Sequence, residues 1–192
     1  MKKANYILQG LIFIVILYYF IMGIINKEIP MIALTITSVL IILLPDIFRK
    51  KIHINEYIKF LYLLFMFFFL IMGATVGMYK KVYFYDSIAH FITGVGASIL
   101  SLFIMNKLKR YNEKDKWFNV LFIITFSLFI AAFWEMTEFT IDNIFNIDVQ
   151  KAALTGVFDT MKDIILAFIG SILFSTYYVL SKNKNIINKI IE

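Results

Sequence analysis

Residues 117–142 read WFNVLFIITFSLFIAAFWEMTEFTID, an apolar run that ends in three carboxylates. A helix needs about 20 mostly apolar residues to cross the ~30 Å hydrocarbon core of a bilayer, and this run supplies them. The acids Glu135, Glu138 and Asp142 are three and four positions apart, which places them on one face of a helix. The stretch therefore predicts a membrane span with an acidic face at one end.

The whole chain has the composition of an integral membrane protein. Of its 192 residues, 61% are hydrophobic, whereas soluble domains contain about 45–50% apolar residues. Cysteine is absent, which excludes disulfides, thiolate metal ligands and a cysteine nucleophile. We predict one all-α integral membrane domain, residues 1–192, folded as a polytopic transmembrane helical bundle.

Six segments are long and apolar enough, or nearly so, to cross the membrane. They cover roughly residues 6–25, 30–45, 58–78, 87–106, 117–138 and 160–181. The second segment is short, and its two prolines suit its ends: Pro30 fits a first helical turn and Pro45 a last one.

The basic residues predict the orientation of these spans. If the N-terminus is inside, 14 of the 19 lysines and arginines fall in cytoplasmic segments and 5 on the outer side. Basic residues favour the cytoplasmic side, so both termini are predicted to be cytoplasmic. The basic inner rim suits anionic membrane lipids as partners rather than nucleic acid. The sequence leaves the oligomeric state open.

Three of the spans carry ionisable faces at one membrane level. Asp86 and His90 are four positions apart at the start of the fourth span, and Asp159 and Asp163 are likewise four apart in the sixth. With the predicted orientation, both pairs lie near the outer surface, as do the acids of the fifth span. Acids that face the interior of a membrane bundle are candidates for function. Asp86 and Asp159 also suit plain helix capping, which is the structural alternative.

So many carboxylates cannot all be ionised and close together in a medium of low dielectric unless something compensates them. No lysine or arginine lies near Glu135 and Glu138 in the sequence, and Lys162 faces about 100° away from Asp163 on a helix. A divalent metal, bound protons or a distant base could supply the compensation. Carboxylates with one imidazole suit Mg²⁺, Mn²⁺ or Zn²⁺. The candidate metal ligands are Asp86, His90, Glu135, Glu138, Asp159 and Asp163, and the candidate catalytic residues are Glu135, Glu138 and Asp163.

The order of three motifs resembles that of the YjdF-like family of bacterial inner-membrane proteins of unknown function. The motifs are YDSIAHFITG from Tyr85, AAFWEMTEFTID from Ala131 and GVFDTMKDIILAFIGS from Gly156. The resemblance implies a multi-pass helical protein of the bacterial cytoplasmic membrane. It also implies that the family's key residues correspond to Asp86, His90, Gly94, Glu135, Glu138, Asp159, Thr160 and Asp163. It implies no particular reaction.

Three functions fit these residues. The first is a metal-dependent membrane enzyme that acts on a lipid or lipid-linked substrate, with a carboxylate as general base. The second is a cation- or proton-coupled transporter, which acid-lined spans also suit. The third is a noncatalytic assembly factor whose acids hold helices together. The enzyme or metal site ranks first because the acids cluster at one level and no inverted repeat is evident.

Overall fold

The computed structural model of the protein describes residues 1–181 and 185–191. Every regular element within this part of the chain is helical, which confirms the all-α prediction. In chain order the elements are α1 (Lys2–Ile25), α2 (Ile29–Ile52), α3 (Glu56–Met66), a π-helical segment (Phe67–Thr75), α4 (Met78–Lys81), α5 (Tyr85–Lys107), α6 (Lys116–Phe145), α7 (Ala152–Thr155), α8 (Phe158–Leu180) and α9 (Asn185–Ile191).

Six of these helices are long and apolar enough to cross a membrane, which confirms the number of spans and a multi-pass membrane protein. They are Lys2–Ile25, Ile29–Arg49, Glu56–Thr75, Tyr85–Lys107, Lys116–Phe145 and Phe158–Leu180. Contacts divide the chain into two compact units, Met1–Tyr85 and Asp86–Glu192, with three of the spans in each. A single domain and cytoplasmic termini remain predictions.

In the first unit, α2 runs straight through Pro45, where the sequence suggested that the span ends. A proline inside a helix has no N–H to donate, so the carbonyl four residues earlier loses its partner. That carbonyl belongs to Ile41, and the Tyr62 hydroxyl of α3 donates to it at 2.7 Å. A side chain from a neighbouring helix therefore replaces the missing hydrogen bond and lets α2 continue to Ile52.

A partly buried polar network joins the three spans of the first unit. Lys59 of α3 is 4% exposed, and its ammonium lies 2.5 Å from Asp46 Oδ1 on α2. It also donates to Gln9 Oε1 on α1 at 3.2 Å, and Gln9 Nε2 donates to Asp46 Oδ2 at 3.1 Å. Polar groups out of water need partners, and these three groups supply one another's.

In the second unit, α5 and α8 touch backbone to backbone. A Cβ added to Gly94 would lie 1.9 Å from the Ala167 carbonyl oxygen, and one added to Gly170 would lie 2.3 Å from the Phe91 carbonyl oxygen. Helix α6 joins the contact through Ser127, whose hydroxyl donates to the Gly94 carbonyl at 2.7 Å. Small residues allow such close approach in a membrane. The crossing fixes the spacing of the side chains one turn away, which include the candidate site.

At the other end of these helices, a pair of tyrosines and the last helix, α9, pack against the second unit. Asn119 Nδ2 donates to the Tyr178 hydroxyl at 2.7 Å, and that hydroxyl donates to Tyr111 at 3.4 Å. In α9, Ile187 and Ile190 are fully buried, and Asn106 Nδ2 donates to the Ile191 carbonyl. The second unit is thus held by polar contacts at this end and by close helix packing in its middle.

Candidate metal centre

Three spans bring the ionisable residues of the second unit together. Asp86 and His90 lie one turn apart on α5, Asp159 and Asp163 one turn apart on α8, and Glu135 on the buried face of α6. His90 is 7% exposed, Glu135 4% and Asp163 2%. This burial and convergence match the arrangement predicted from the spacing of the motifs.

The His90 imidazole is the centre of the cluster. Its Nε2 lies 3.6 Å from Asp86 Oδ1 and 3.7 Å from Asp163 Oδ2, and its Nδ1 lies 4.0 Å from Glu135 Oε1. These distances are too long for hydrogen bonds. One ligand atom each from Asp86, His90 and Asp163 lie within 4.8 Å of one another. Two ligands about 2.1 Å from a tetrahedral ion are about 3.4 Å apart, so small side-chain shifts would let these three residues hold one ion.

Two carboxylate oxygens of the cluster are buried without a hydrogen bond. Glu135 Oε1 and Asp163 Oδ1 have no hydrogen-bond partner among the residues that the structure describes. A buried charged oxygen without a partner is costly. Both oxygens belong to residues that face His90, so a cation bound at the cluster would give these oxygens a partner.

Two lysines compensate part of the acidic charge, and the sequence reasoning missed both. Lys151 Nζ lies 2.5 Å from Asp86 Oδ2 and 3.3 Å from Asp159 Oδ2. Lys162 Nζ lies 2.5 Å from Asp159 Oδ1 and 3.6 Å from Asp163 Oδ1. The i,i+3 spacing of Asp159 and Lys162 could have predicted their ion pair. Lys151 is 65 residues from Asp86, so no local spacing pointed to that pair.

The position of Lys151 is fixed by the loop between α6 and α7. Asp142 accepts hydrogen bonds from the backbone N–H groups of Val149 at 2.7 Å and Gln150 at 3.0 Å. Lys151 has a positive φ of 57°. Burial by itself lowers the pKa of the Lys151 ammonium, but its hydrogen bond to Asp86 and the charges of Asp86 and Asp159 outweigh this and raise the pKa to about 12. The ammonium is therefore charged over the whole physiological range.

Glu138 is separate from the three residues that could share an ion. Its Oε1 accepts a hydrogen bond from Trp134 Nε1 at 2.7 Å, on an exposed part of α6. Helix α6 also continues to Phe145, so Glu135 and Glu138 are well inside the helix and not at its end. Metal ligation by any of the six candidate residues, and the catalytic roles assigned to Glu135, Glu138 and Asp163, remain predictions.

A mostly apolar groove of about 270 Å³ lies beside the cluster, between α6 and α8. It is lined by Ala132, Glu135, Met136, Phe139, Gln150, Thr160 and Ile164. Gln150 Nε2 donates to the Glu135 carbonyl at 3.1 Å and lies 3.5 Å from Glu135 Oε2. Glu135 therefore belongs to the groove as well as to the cluster around His90.

Comparison with known proteins identifies the family. The sequence model of the family described as "Predicted membrane protein (DUF2238)" matches residues 6–184. A protein of Thermotoga maritima with the name "Uncharacterized protein" is 30% identical over 132 residues, which is 66% of this chain. The chain spans 65%, a little under two thirds, of that relative's length. No solved structure gives a significant match. Because the family model covers nearly the whole sequence, the chain belongs to the DUF2238 family of predicted membrane proteins.

Proposed function

We propose that this protein is a metal-dependent membrane hydrolase that acts on a lipid or lipid-linked substrate in the bacterial cytoplasmic membrane. Asp86, His90 and Asp163 would hold one divalent cation, and the chemistry of the ligands suits Zn²⁺, Mn²⁺ or Mg²⁺. The observation that carries the proposal is the placement of His90 Nε2 between two carboxylate oxygens, too far for hydrogen bonds and near the spacing of ligands on one ion.

The chemistry divides between the ion and Glu135. A bound divalent cation lowers the pKa of a coordinated water and polarises the bond to be cleaved. Glu135 would take a proton from the attacking water as the water oxygen bonds to the ester carbon or phosphorus. The bond from that atom to the leaving oxygen would break, and Glu135 would return the proton to the leaving oxygen. Glu135 suits this role because its Oε1 is buried, faces His90 and has no hydrogen-bond partner within the described part of the chain.

The groove between α6 and α8 supports a lipid as the substrate. Met136 is 56% exposed and Phe139 59% exposed, so the groove opens on a side of the second unit where apolar side chains are uncovered. Glu135 forms part of its wall. A hydrocarbon chain lying there would bring its polar end to the carboxylate that we assign as the base.

Cation- or proton-coupled transport is the second candidate. The buried hydroxyls of Ser98 and Ser127 lie 3.4 Å apart, deeper in the second unit than the cluster, and would extend a polar path. Ala131 and Ile123 interrupt the same face of α6, and both are almost fully buried. A noncatalytic assembly role is the third candidate, and the ion pairs of Lys151 and Lys162 with the carboxylates favour it. These pairs leave Glu135 Oε1 without a hydrogen-bond partner among the described residues.

Metal content tests the proposal, and the two histidines provide a matched pair of variants. Elemental analysis of the detergent-purified protein should find about one divalent ion per chain. His90→Gln should lose that ion, and His53→Gln, an exposed position between α2 and α3, should keep it. Liposome assays should then show metal-stimulated hydrolysis without ion flux. A metal-free protein whose His90→Gln variant retains full cellular function would refute the proposal, and flux without hydrolysis would replace it with transport.

A further inference from the structure

We infer that the substrate is a lipid with a phosphate-bearing anionic headgroup, bound by Lys151 and Lys162, with one hydrocarbon chain in the groove between α6 and α8. The inference rests on the proposed function and names the class of substrate for the same site. It is carried by the exposure of the two lysines beside the cluster and by Glu135, which contacts His90 and also lines the groove.

The two lysines are placed to receive an anion from outside the cluster. The side chain of Lys151 is 43% exposed and that of Lys162 is 31% exposed. An ammonium has three N–H donors, and each of these has close contacts to two carboxylates. A third donor on each remains for a ligand. Lysine binds phosphate as a point charge, so two neighbouring ammonium groups suit a phosphate oxygen pair.

Binding of the proposed ion would strengthen this recognition. Without an ion, the cluster and its two lysines hold four carboxylates (Asp86, Glu135, Asp159 and Asp163) and two ammonium groups, so the site is acidic and disfavours an anion. A divalent cation cancels the excess, and it draws Asp86 and Asp163, two partners of the lysines, towards itself. The lysine charge that these carboxylates had neutralised becomes available to the headgroup. Anion binding should therefore depend on the metal.

The groove meets the cluster at Glu135, which fixes the direction of the bound lipid. One carboxylate oxygen, Oε1, faces His90 at 4.0 Å, and the other, Oε2, faces Gln150 on the groove side at 3.5 Å. Apart from Thr160, apolar side chains line the rest of the groove. Its volume of about 270 Å³ is below the ~300–1,000 Å³ of sites for drug-sized ligands, which suits one chain rather than a bulky ring system. The junction between chain and headgroup then lies at Glu135.

Lipid binding to the Mn²⁺-loaded protein tests the inference without requiring turnover. Native mass spectrometry would compare phosphatidic acid with diacylglycerol of the same chains. We expect the Mn²⁺-loaded protein to bind at least about tenfold more phosphatidic acid than diacylglycerol. Removal of Mn²⁺ should abolish this preference. Lys151→Gln and Lys162→Gln should each lower phosphatidic acid binding severalfold, whereas Lys80→Gln, an exposed lysine of the first unit, should not.

A second pair of variants tests the groove. Ile164→Trp fills it and should reduce phosphatidic acid binding severalfold, whereas Ile165→Trp, at the neighbouring position that is 50% exposed and outside the groove lining, should not. Inorganic phosphate at millimolar concentration should compete only weakly, because it lacks the chain.

The outcomes separate this inference from the proposed function. Equal binding of the two lipids, or equal binding by the lysine variants, would overturn the inference even if one Mn²⁺ is bound. Full competition by inorganic phosphate would overturn the inference that the ligand is a lipid, and would indicate a site for free phosphate. Lysine-dependent selectivity for phosphatidic acid in a protein that binds no metal would support the lipid site and overturn the metal-dependent enzyme. The wild-type comparison needs no variant, so a poorly folding variant does not decide the result.

Discussion

Replacing Gly94 by alanine should loosen the candidate metal centre through the backbone, without touching any of its side chains. The new Cβ would lie 1.9 Å from the Ala167 carbonyl oxygen, against 3.4 Å or more in ordinary contacts. Neither partner is a flexible side chain, so α5 and α8 must separate by about 1–1.5 Å. Overpacking of this kind costs about 1–3 kcal/mol, and more where the backbone has to move.

The separation has a calculable effect on the site. His90 is one turn before Gly94, and Asp163 is one turn before Ala167, so both move with their helices. The distance of 3.7 Å between His90 Nε2 and Asp163 Oδ2 would grow to about 5 Å. Two ligands on one ion with bonds of about 2.1 Å can be at most about 4.2 Å apart. The side chains would have to shift further than in the wild type to share one ion, so the variant should lose most of its bound metal.

The assay is thermal unfolding together with metal content, measured in the same detergent. We expect the midpoint of Gly94→Ala to fall by roughly 2–4 °C per kcal/mol lost. Gly10→Ala is the control, because an added Cβ there has no neighbour within 4 Å and alanine favours a helix by up to ~1 kcal/mol. A Gly94→Ala protein with a wild-type midpoint would refute the close crossing. A lowered midpoint with unchanged metal content would refute the claim that the crossing of α5 and α8 controls the spacing of the metal ligands.

Two further predictions concern polar contacts outside the candidate centre. Burial raises the pKa of the Tyr111 phenol above its ordinary value, so the stabilising effect of the protonated phenol is present below about pH 10 and is lost as the pH rises further. Unfolding midpoints measured from pH 9 to 12 should therefore fall less steeply in Tyr111→Phe, and identical slopes would contradict this. Lys59→Met leaves the Asp46 carboxylate without its cation, and since the Asp46 side chain is 36% exposed, we expect a loss of about 1–3 kcal/mol rather than the ~3–5 kcal/mol of a fully buried pair. Adding Asp46→Asn should recover part of that loss in the unfolding midpoint, and no recovery would show that the pair does not interact.

The features that sequence reasoning predicted are those set by local periodicity. Apolar length alone predicts the six spans, and the four-residue spacing of Asp86 with His90 and of Asp159 with Asp163 predicts that each pair shares a face. Because the spans enter and leave the membrane in turn, these faces come to one level. The structure brings His90 to the acids of two other helices as this argument requires.

The features that were missed depend on contacts between residues distant in sequence. Pro45 stops a helix unless another segment satisfies the exposed carbonyl, and only the folded unit shows Tyr62 beside Ile41. Asp142 looks like the polar end of a span, but it accepts hydrogen bonds from the following loop, and α6 continues to Phe145. That loop brings Lys151 to Asp86. Lys151 is thus a basic residue distant in sequence, which was one of the sources of compensation for the carboxylates that the sequence left open.

The π-helical segment Phe67–Thr75 has a consequence for changes in chain length. Each of its turns holds more residues than an α-helical turn, and its end is closed by Thr75 Oγ1 donating to the Leu70 carbonyl at 3.0 Å and by Val76 N–H donating to the Ile71 carbonyl at 2.8 Å. Removing one of the three consecutive phenylalanines would leave the polarity unchanged and let the segment tighten into an ordinary helix. Gly73 would then rotate away from the Tyr79 ring that packs against it. The wide turns thus set the rotation, about the helix axis, of the residues that follow them as far as α4.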